Sequence, residues 1–186
     1  MQAIKRDKRY TYEEYTQWET GNDRYELIDG VPYLMSAPSR LHQKISGEVF
    51  FQLYSYLKGK PCEVYHAPFD VRLNVGGGED TVVQPDLLIV CDQSKLDDKG
   101  GIGAPDMAVE ILSPSNPNHD TILKYQKYLQ AGVREYWIID PENKIVHANV
   151  LGDGAYIGRV YSGADAVPVH ILEGCKIELQ DVFADL

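Results

Sequence analysis

Apolar and polar residues change their spacing several times along the chain, and each change marks an expected element. Thr11 with Glu14 three residues on makes a capping box, and Tyr12, Tyr15 and Trp18 follow at helical spacing. This predicts a short helix over 11–20 whose aromatic residues serve packing. Runs on either side of Asp29-Gly30 predict a hairpin, and Pro32 suits an edge for its second strand. Alternation puts Glu26 and Ile28 on one face and Tyr25 and Leu27 on the other, and either pair can face inward. From 39 to 58, Leu41, Ile45, Val49, Leu53 and Leu57 recur every four residues. That spacing predicts a helix opened by Ser39 and ended by Gly59. His42 stands in its first turn, where a structural role and a place at a cleft are equally open.

Strand-like runs follow at 63–66, 69–73 and 82–90. Gly76, Gly77 and Gly78 form a loop between the last two; no Gly-Lys-Ser/Thr follows, so it is not a phosphate-binding loop. Gln84-Pro85-Asp86 sets a carboxylate at the mouth of an apolar strand, and Pro85 delays ladder bonding until after it. The polar, glycine-rich stretch 95–103 reads as a connecting loop.

Met107 to Leu112 is an apolar run between turn residues, an interior strand that Glu110 interrupts. A carboxylate there is costly unless a cation or metal meets it. The next helix runs from a cap at Asn118 or Asp120 to Gly132. At 100° per residue, Ile122, Tyr125, Tyr128, Leu129 and Ala131 share its core arc. Lys124 falls inside that arc and Lys127 just outside. The economical reading aims Lys124 at Glu110; the alternative is that it snorkels from the edge of the face. Residues 135–139 form another buried strand. An antiparallel meander over 144–150, 155–161, 167–171 and 176–179 closes the chain as sheet extension or a partner surface.

With 186 residues, 44% hydrophobic and 25% charged, the chain suits one domain spanning 1–186. Its formal charge of -10 counts against coating nucleic acid nonspecifically. It does not count against an enzyme that meets a phosphodiester through a cation, since a carboxylate site is itself negative. Near the helix, Lys124, Lys127 and Arg134 are the candidate basic contacts for such a substrate. Cys62, Cys91 and Cys175 are widely spaced and odd in number, which reads as three reduced thiols. No apolar run approaches the roughly 20 residues needed to span a bilayer. The charged N-terminus lacks the apolar segment of a secretory signal, so a cytoplasmic location is expected.

Asp86 and Glu110 are each the one acid in an apolar strand. Brought together, two such carboxylates suit a hard divalent cation, and a neighbouring lysine would stabilise charge on a phosphoryl transition state. The string Pro85-Asp86, Glu110-Ile-Leu-Ser-Pro-Ser, Asp120, Lys124-Tyr and Gly132-Val-Arg-Glu-Tyr-Trp-Ile-Ile-Asp-Pro resembles the Uma2 family, also called DUF820. That family lies within the PD-(D/E)xK nuclease superfamily. Tyr25-Glu-Leu-Ile-Asp-Gly and His42-Gln match its early motifs, so the likeness covers roughly residues 11 to 183.

The resemblance implies an α/β (α+β) fold: a restriction-endonuclease-like core with a mixed central β-sheet flanked by α-helices and extra antiparallel strands at the C-terminus. It further implies a homodimer and magnesium-dependent cleavage of DNA, with manganese able to substitute. Asp86 and Glu110 would bind the metal and Lys124 would be the catalytic lysine. Glu26 would be an accessory acid and further candidate ligand, and His42 an accessory polar residue at the cleft. The superfamily pattern expects lysine two residues after the acid, where this chain has Leu112; Lys124 would restore that charge from the helix.

Asp106 lies on the same strand face as Glu110 but about 13 Å away, too far to share one ion, and reads as a turn residue. Gln84 reads as a structural amide, with a cleft donor as the alternative, and Ser113 as a turn hydroxyl, with a ligand contact as the alternative. Two other functions compete with the endonuclease: a nuclease-like binding module that no longer cleaves, and a hydrolase of another phosphorylated substrate.

Overall fold

The computed structural model describes residue 4, residues 8–113 and residues 119–184. Its first strands are β1 (Tyr25–Ile28), β2 (Val31–Leu34), β3 (Glu63–His66), β4 (Val71–Arg72), β5 (Val82–Val83), β6 (Leu87–Val90) and β7 (Leu96–Asp97). There follow β8 (Gly100–Ile102), β9 (Met107–Ile111), β10 (Glu135–Asp140), β11 (Ile145–Gly152), β12 (Ala155–Ser162), β13 (Ala166–Pro168) and β14 (Lys176–Glu178). The α-helices are α1 (Tyr12–Tyr15), α2 (Arg40–Leu57), α3 (Tyr125–Ala131) and α4 (Leu179–Val182). A π-helical turn, His119–Lys124, leads directly into α3.

The central sheet runs β12-β11-β10-β9-β6-β3. It is mixed: β9 and β10 are parallel, and the other neighbours are antiparallel. Side chains alternate across it. Leu87, Ile89, Met107, Val109, Trp137 and Ile139 face one side, where they pack against Ile45, Val49, Leu53 and Leu57 of α2. That four-residue row is the one the spacing predicts, and Leu53 is wholly buried, so Leu53→Ala would cost about 2–5 kcal/mol. Ser39 caps α2 by accepting from the His42 N–H.

Leu88, Val90, Ala108, Tyr136 and Ile138 face the other side, against Tyr128 and Val133. Ile28, Val71 and Val83 join the same cluster. They come from a second sheet, ordered β2-β1-β5-β4-β8-β7. Asp29 and Gly30, with φ of 51° and 73°, make the tight turn between β1 and β2, and Pro32 sits on the edge strand as expected.

Five expectations change. The first helix is a single turn, Tyr12–Tyr15, although its Thr11/Glu14 capping box forms. The run 69–73 shortens to β4. The run 82–90 divides at Gln84-Pro85-Asp86 into β5 and β6, which belong to different sheets, because Pro85 lacks the N–H a continuous ladder needs. Residues 95–103 contain β7 and β8 rather than only loop: Gly100 and Gly101 let the chain run close against β4, where a Cβ on Gly100 would fall 2.1 Å from the Asp70 carbonyl oxygen. The closing meander extends the central sheet only through β11 and β12; β13 and β14 pair with each other and supply Val167 and Ile177 to the α2 side of the core.

The cysteines are also corrected: Cys62 and Cys91 form a disulfide, leaving Cys175 as a free, buried thiol. Glu63 pairs with Val90 in the β3/β6 register, so the next step outward sets Cys62 opposite Cys91. Spacing along the chain conceals that adjacency.

Candidate active site

Asp86 immediately precedes β6, and Glu110 lies near the end of β9. Leu87 pairs with Val109, so continuing the antiparallel register sets Asp86 opposite Glu110. Opposed residues on one face have Cβ atoms about 4.5–5.5 Å apart. Both side chains line a cavity of about 570 Å³, together with Glu26, His42 and Lys124.

Lys124 is the last residue of the π turn and only 2% exposed. Its Nζ lies 2.9 Å from Glu110 Oε1 and 2.7 Å from Glu26 Oε1. Tyr128, one turn on, donates its hydroxyl to the same Glu110 oxygen at 2.7 Å. Burial and the adjacent Glu110 carboxylate push the Tyr128 phenol well above its ordinary range, so it stays a donor. The inward reading of Lys124 is therefore correct and the snorkelling alternative is not.

Ile122 departs from the core arc that holds Lys124, being 56% exposed. A π turn takes more residues per turn than 3.6, so a 100° projection carried back from α3 still holds at the adjoining Lys124 and is out of phase by Ile122. Of the two expected caps, Asn118 lies outside the described residues, and the Asp120 backbone is already within the π turn. Gly132 does close the helix, in the left-handed conformation.

Glu26, on β1, is buried at 1% exposure and accepts the Gln84 backbone N–H at 2.7 Å. That N–H is available because the chain is crossing between sheets at Gln84-Pro85. Asp86 Oδ2 accepts from the Ile111 N–H at 2.8 Å and lies 3.0 Å from His42 Nε2. Asp86 Oδ1 has no hydrogen-bond partner among the described residues, and neither does the buried Nδ1 of His42. All five predicted site residues thus meet at one cavity, from β1, α2, the start of β6, β9 and the π turn. Leu112, where the superfamily pattern has lysine, packs into the apolar cluster on the Tyr128 side of the sheet.

Other predictions resolve differently. Asp106 is structural, accepting from the Cys91 N–H and pairing with Arg134 at 3.0 Å. Lys127 pairs with Asp29 at 2.7 Å. Neither Lys127 nor Arg134 lines the cavity. The cation missed in the sequence is Arg24, which does line it. It precedes β1 by one residue, and only the packing of the hairpin over the central sheet brings it to the rim.

The donor set fits a hard cation. Among the carboxyl groups and the ammonium, three acids stand against one Lys124, and every candidate protein ligand is an oxygen. Among the described residues no group of three His, Cys, Asp or Glu side chains is arranged to hold a metal ion. A cation held by Asp86 and Glu110 would therefore complete its shell with water and substrate oxygens, as magnesium commonly does.

The model of the Uma2 family, described as "Putative restriction endonuclease", matches residues 12–180. The uncharacterized protein slr1290 of Synechocystis sp. is 28% identical over 158 residues, which is 82% of this chain and 80% of that protein. A crystal structure described as a putative nuclease belonging to DUF820, from Anabaena variabilis, superposes with a TM-score of 0.76 at 20% identity. It covers 94% of this chain and 97% of that one, and shares the fold. With the family model matching nearly its whole length, this chain belongs to the Uma2 family of restriction-endonuclease-like proteins.

Proposed function

We propose that the protein is a magnesium-dependent endonuclease that hydrolyses DNA phosphodiester bonds at the Asp86/Glu110/Lys124 cavity. The observation that carries the reading is the convergence of two facing-strand carboxylates and one buried ammonium on a single opening. Asp86 and Glu110 would hold the cation, with manganese able to replace magnesium. When bound, the cation supplies Lewis-acid stabilisation of the phosphoryl oxygens and acidifies a water. Lys124, fixed between Glu26 and Glu110, presents a positive group where negative charge grows on the phosphate. Tyr128 holds the Glu110 carboxylate from behind, and His42 does the same for Asp86. Arg24 on the rim gives the incoming phosphate backbone a cation that the chain's net charge of -10 otherwise denies it. In this reading the working form is a homodimer, checked by a sedimentation mass of twice the chain.

Plasmid nicking tests the proposal. The wild type should nick supercoiled DNA with millimolar magnesium and not with chelator, and Asp86→Asn should lose about 10²-fold or more while melting normally. Equal nicking by the variant would contradict it. A binding module that does not cleave is the second reading, favoured by the overall acidity and by Lys124 already engaging both Glu26 and Glu110. Titration with magnesium or manganese separates the two, since absence of heat and of thermal stabilisation supports the module.

A further inference from the structure

A second cavity of about 500 Å³ adjoins the first, and Asp23 and Arg24 line both. Its walls are aromatic: Tyr12, Trp18 and Tyr25 line it. Trp18 meets Tyr25 edge-on, with ring centres 5.8 Å apart. Its lining also includes two polar side chains, Asp70 and Gln84. Asp70 Oδ1 accepts from Gln84 Nε2 at 2.8 Å and from the Tyr15 hydroxyl at 3.2 Å. Gln84 is 7% exposed, and its carbonyl oxygen has no partner among the described residues. Asp70 has no cation within ion-pair distance among them either, since the nearby Arg72 pairs with Asp97 and lies over the Tyr12 ring. A buried acceptor without a donor is costly, so the Gln84 carbonyl oxygen asks for a ligand that brings an N–H group.

We propose that this second cavity is a subsite for one unstacked nucleobase with amino donors, guanine above all, lying beside the phosphate at the Asp86/Glu110 site. The flat aromatic walls suit a base, whose π face stacks on such rings whatever its sequence identity. The Asp70 and Gln84 acceptors suit the N1–H and N2–H₂ edge of guanine, while uracil and thymine offer one N–H between two carbonyls. Arg24, lining both, stands where a nucleotide's phosphate passes from one cavity to the other. Alternation along the strand gives the same division: Tyr25 lines the second cavity and Glu26 the first. The aromatic residues after Thr11 that suggested packing thus also form a binding wall. The inference rests on the neighbouring site being one for a nucleic-acid phosphodiester.

The test reads binding alone. Guanosine and uridine 5′-monophosphates are titrated in EDTA while tryptophan fluorescence is followed. The chain has 2 tryptophans, and Trp137 is fully buried, so a saturable change reports Trp18. Guanosine monophosphate should bind at least about 10-fold tighter than uridine monophosphate, Asp70→Asn should abolish most of that preference, and Trp18→Phe should erase the signal. No saturable change with either nucleotide, equal affinity for both, or an unaffected Asp70→Asn variant would each overturn the subsite. Because EDTA removes cleavage from the readout, base binding without nicking defeats only the nuclease proposal, and nicking without base binding defeats only this one.

Discussion

Glu110 and Glu135 are carboxylates buried in neighbouring apolar strands, 3% and 0% exposed, and they have opposite surroundings. Glu110 faces a cavity, met by the Lys124 ammonium and the Tyr128 hydroxyl. Glu135 faces the α2 side of the sheet, met at 2.7 Å by the Trp137 indole N–H and at 3.0 Å by the Ile171 backbone N–H, with His170 at 3.6 Å. Burial is therefore not what marks a site. Glu135 is held by donors fixed in the fold and lines neither cavity, which describes a structural staple. Glu110 shares its ammonium with a second carboxylate and opens onto space that a substrate can enter.

The largest expected effect separates the two. Lys124→Ala leaves Glu26 and Glu110 buried without their cation and should cost about 3–5 kcal/mol in urea unfolding, together with loss of nicking. Glu135→Ala should cost less, about 1–3 kcal/mol from the stranded Trp137 and Ile171 donors, and leave nicking at the wild-type rate.

A smaller effect is read against pH. Burial raises the Glu135 carboxyl above its ordinary 4.5, with the Ile171 and Trp137 donors opposing. The folded state then holds that proton more tightly than the unfolded chain. Its contribution to stability is greatest below 4.5 and falls as pH rises toward the raised value. Glu135→Gln should remove that slope from the difference between variant and wild-type melting curves over the same interval; an unchanged slope would count against this burial. Smallest is Lys127→Ala, three residues from Lys124 on the helix. Its partner Asp29 is 54% exposed, so stability should move by no more than about 0.5 kcal/mol and nicking not at all.

Glu110 was legible in the sequence because a charge in a strand core needs a reason, and Lys124 because helical phase aimed it inward. Glu135 drew no such attention, since it stands at the start of its strand and its partners come from Trp137 and a distant loop. The π turn hid the exposure of Ile122, because phase reasoning assumes one helical pitch. The disulfide and the second cavity depend on sheet register and on α1 folding over β1, which spacing along one chain does not encode. The central sheet was legible wherever apolar runs were long, and β7 and β8 were not, because strands of two and three residues are too short to show an alternation.

Parallel plasmid-nicking assays of Glu110→Gln and Glu135→Gln, at equal folded concentration in millimolar magnesium, bear most directly on the central claim. The account predicts that the first loses about 10²-fold or more and the second keeps the wild-type rate. Equal rates in the two variants, whether both retained or both lost, would contradict it.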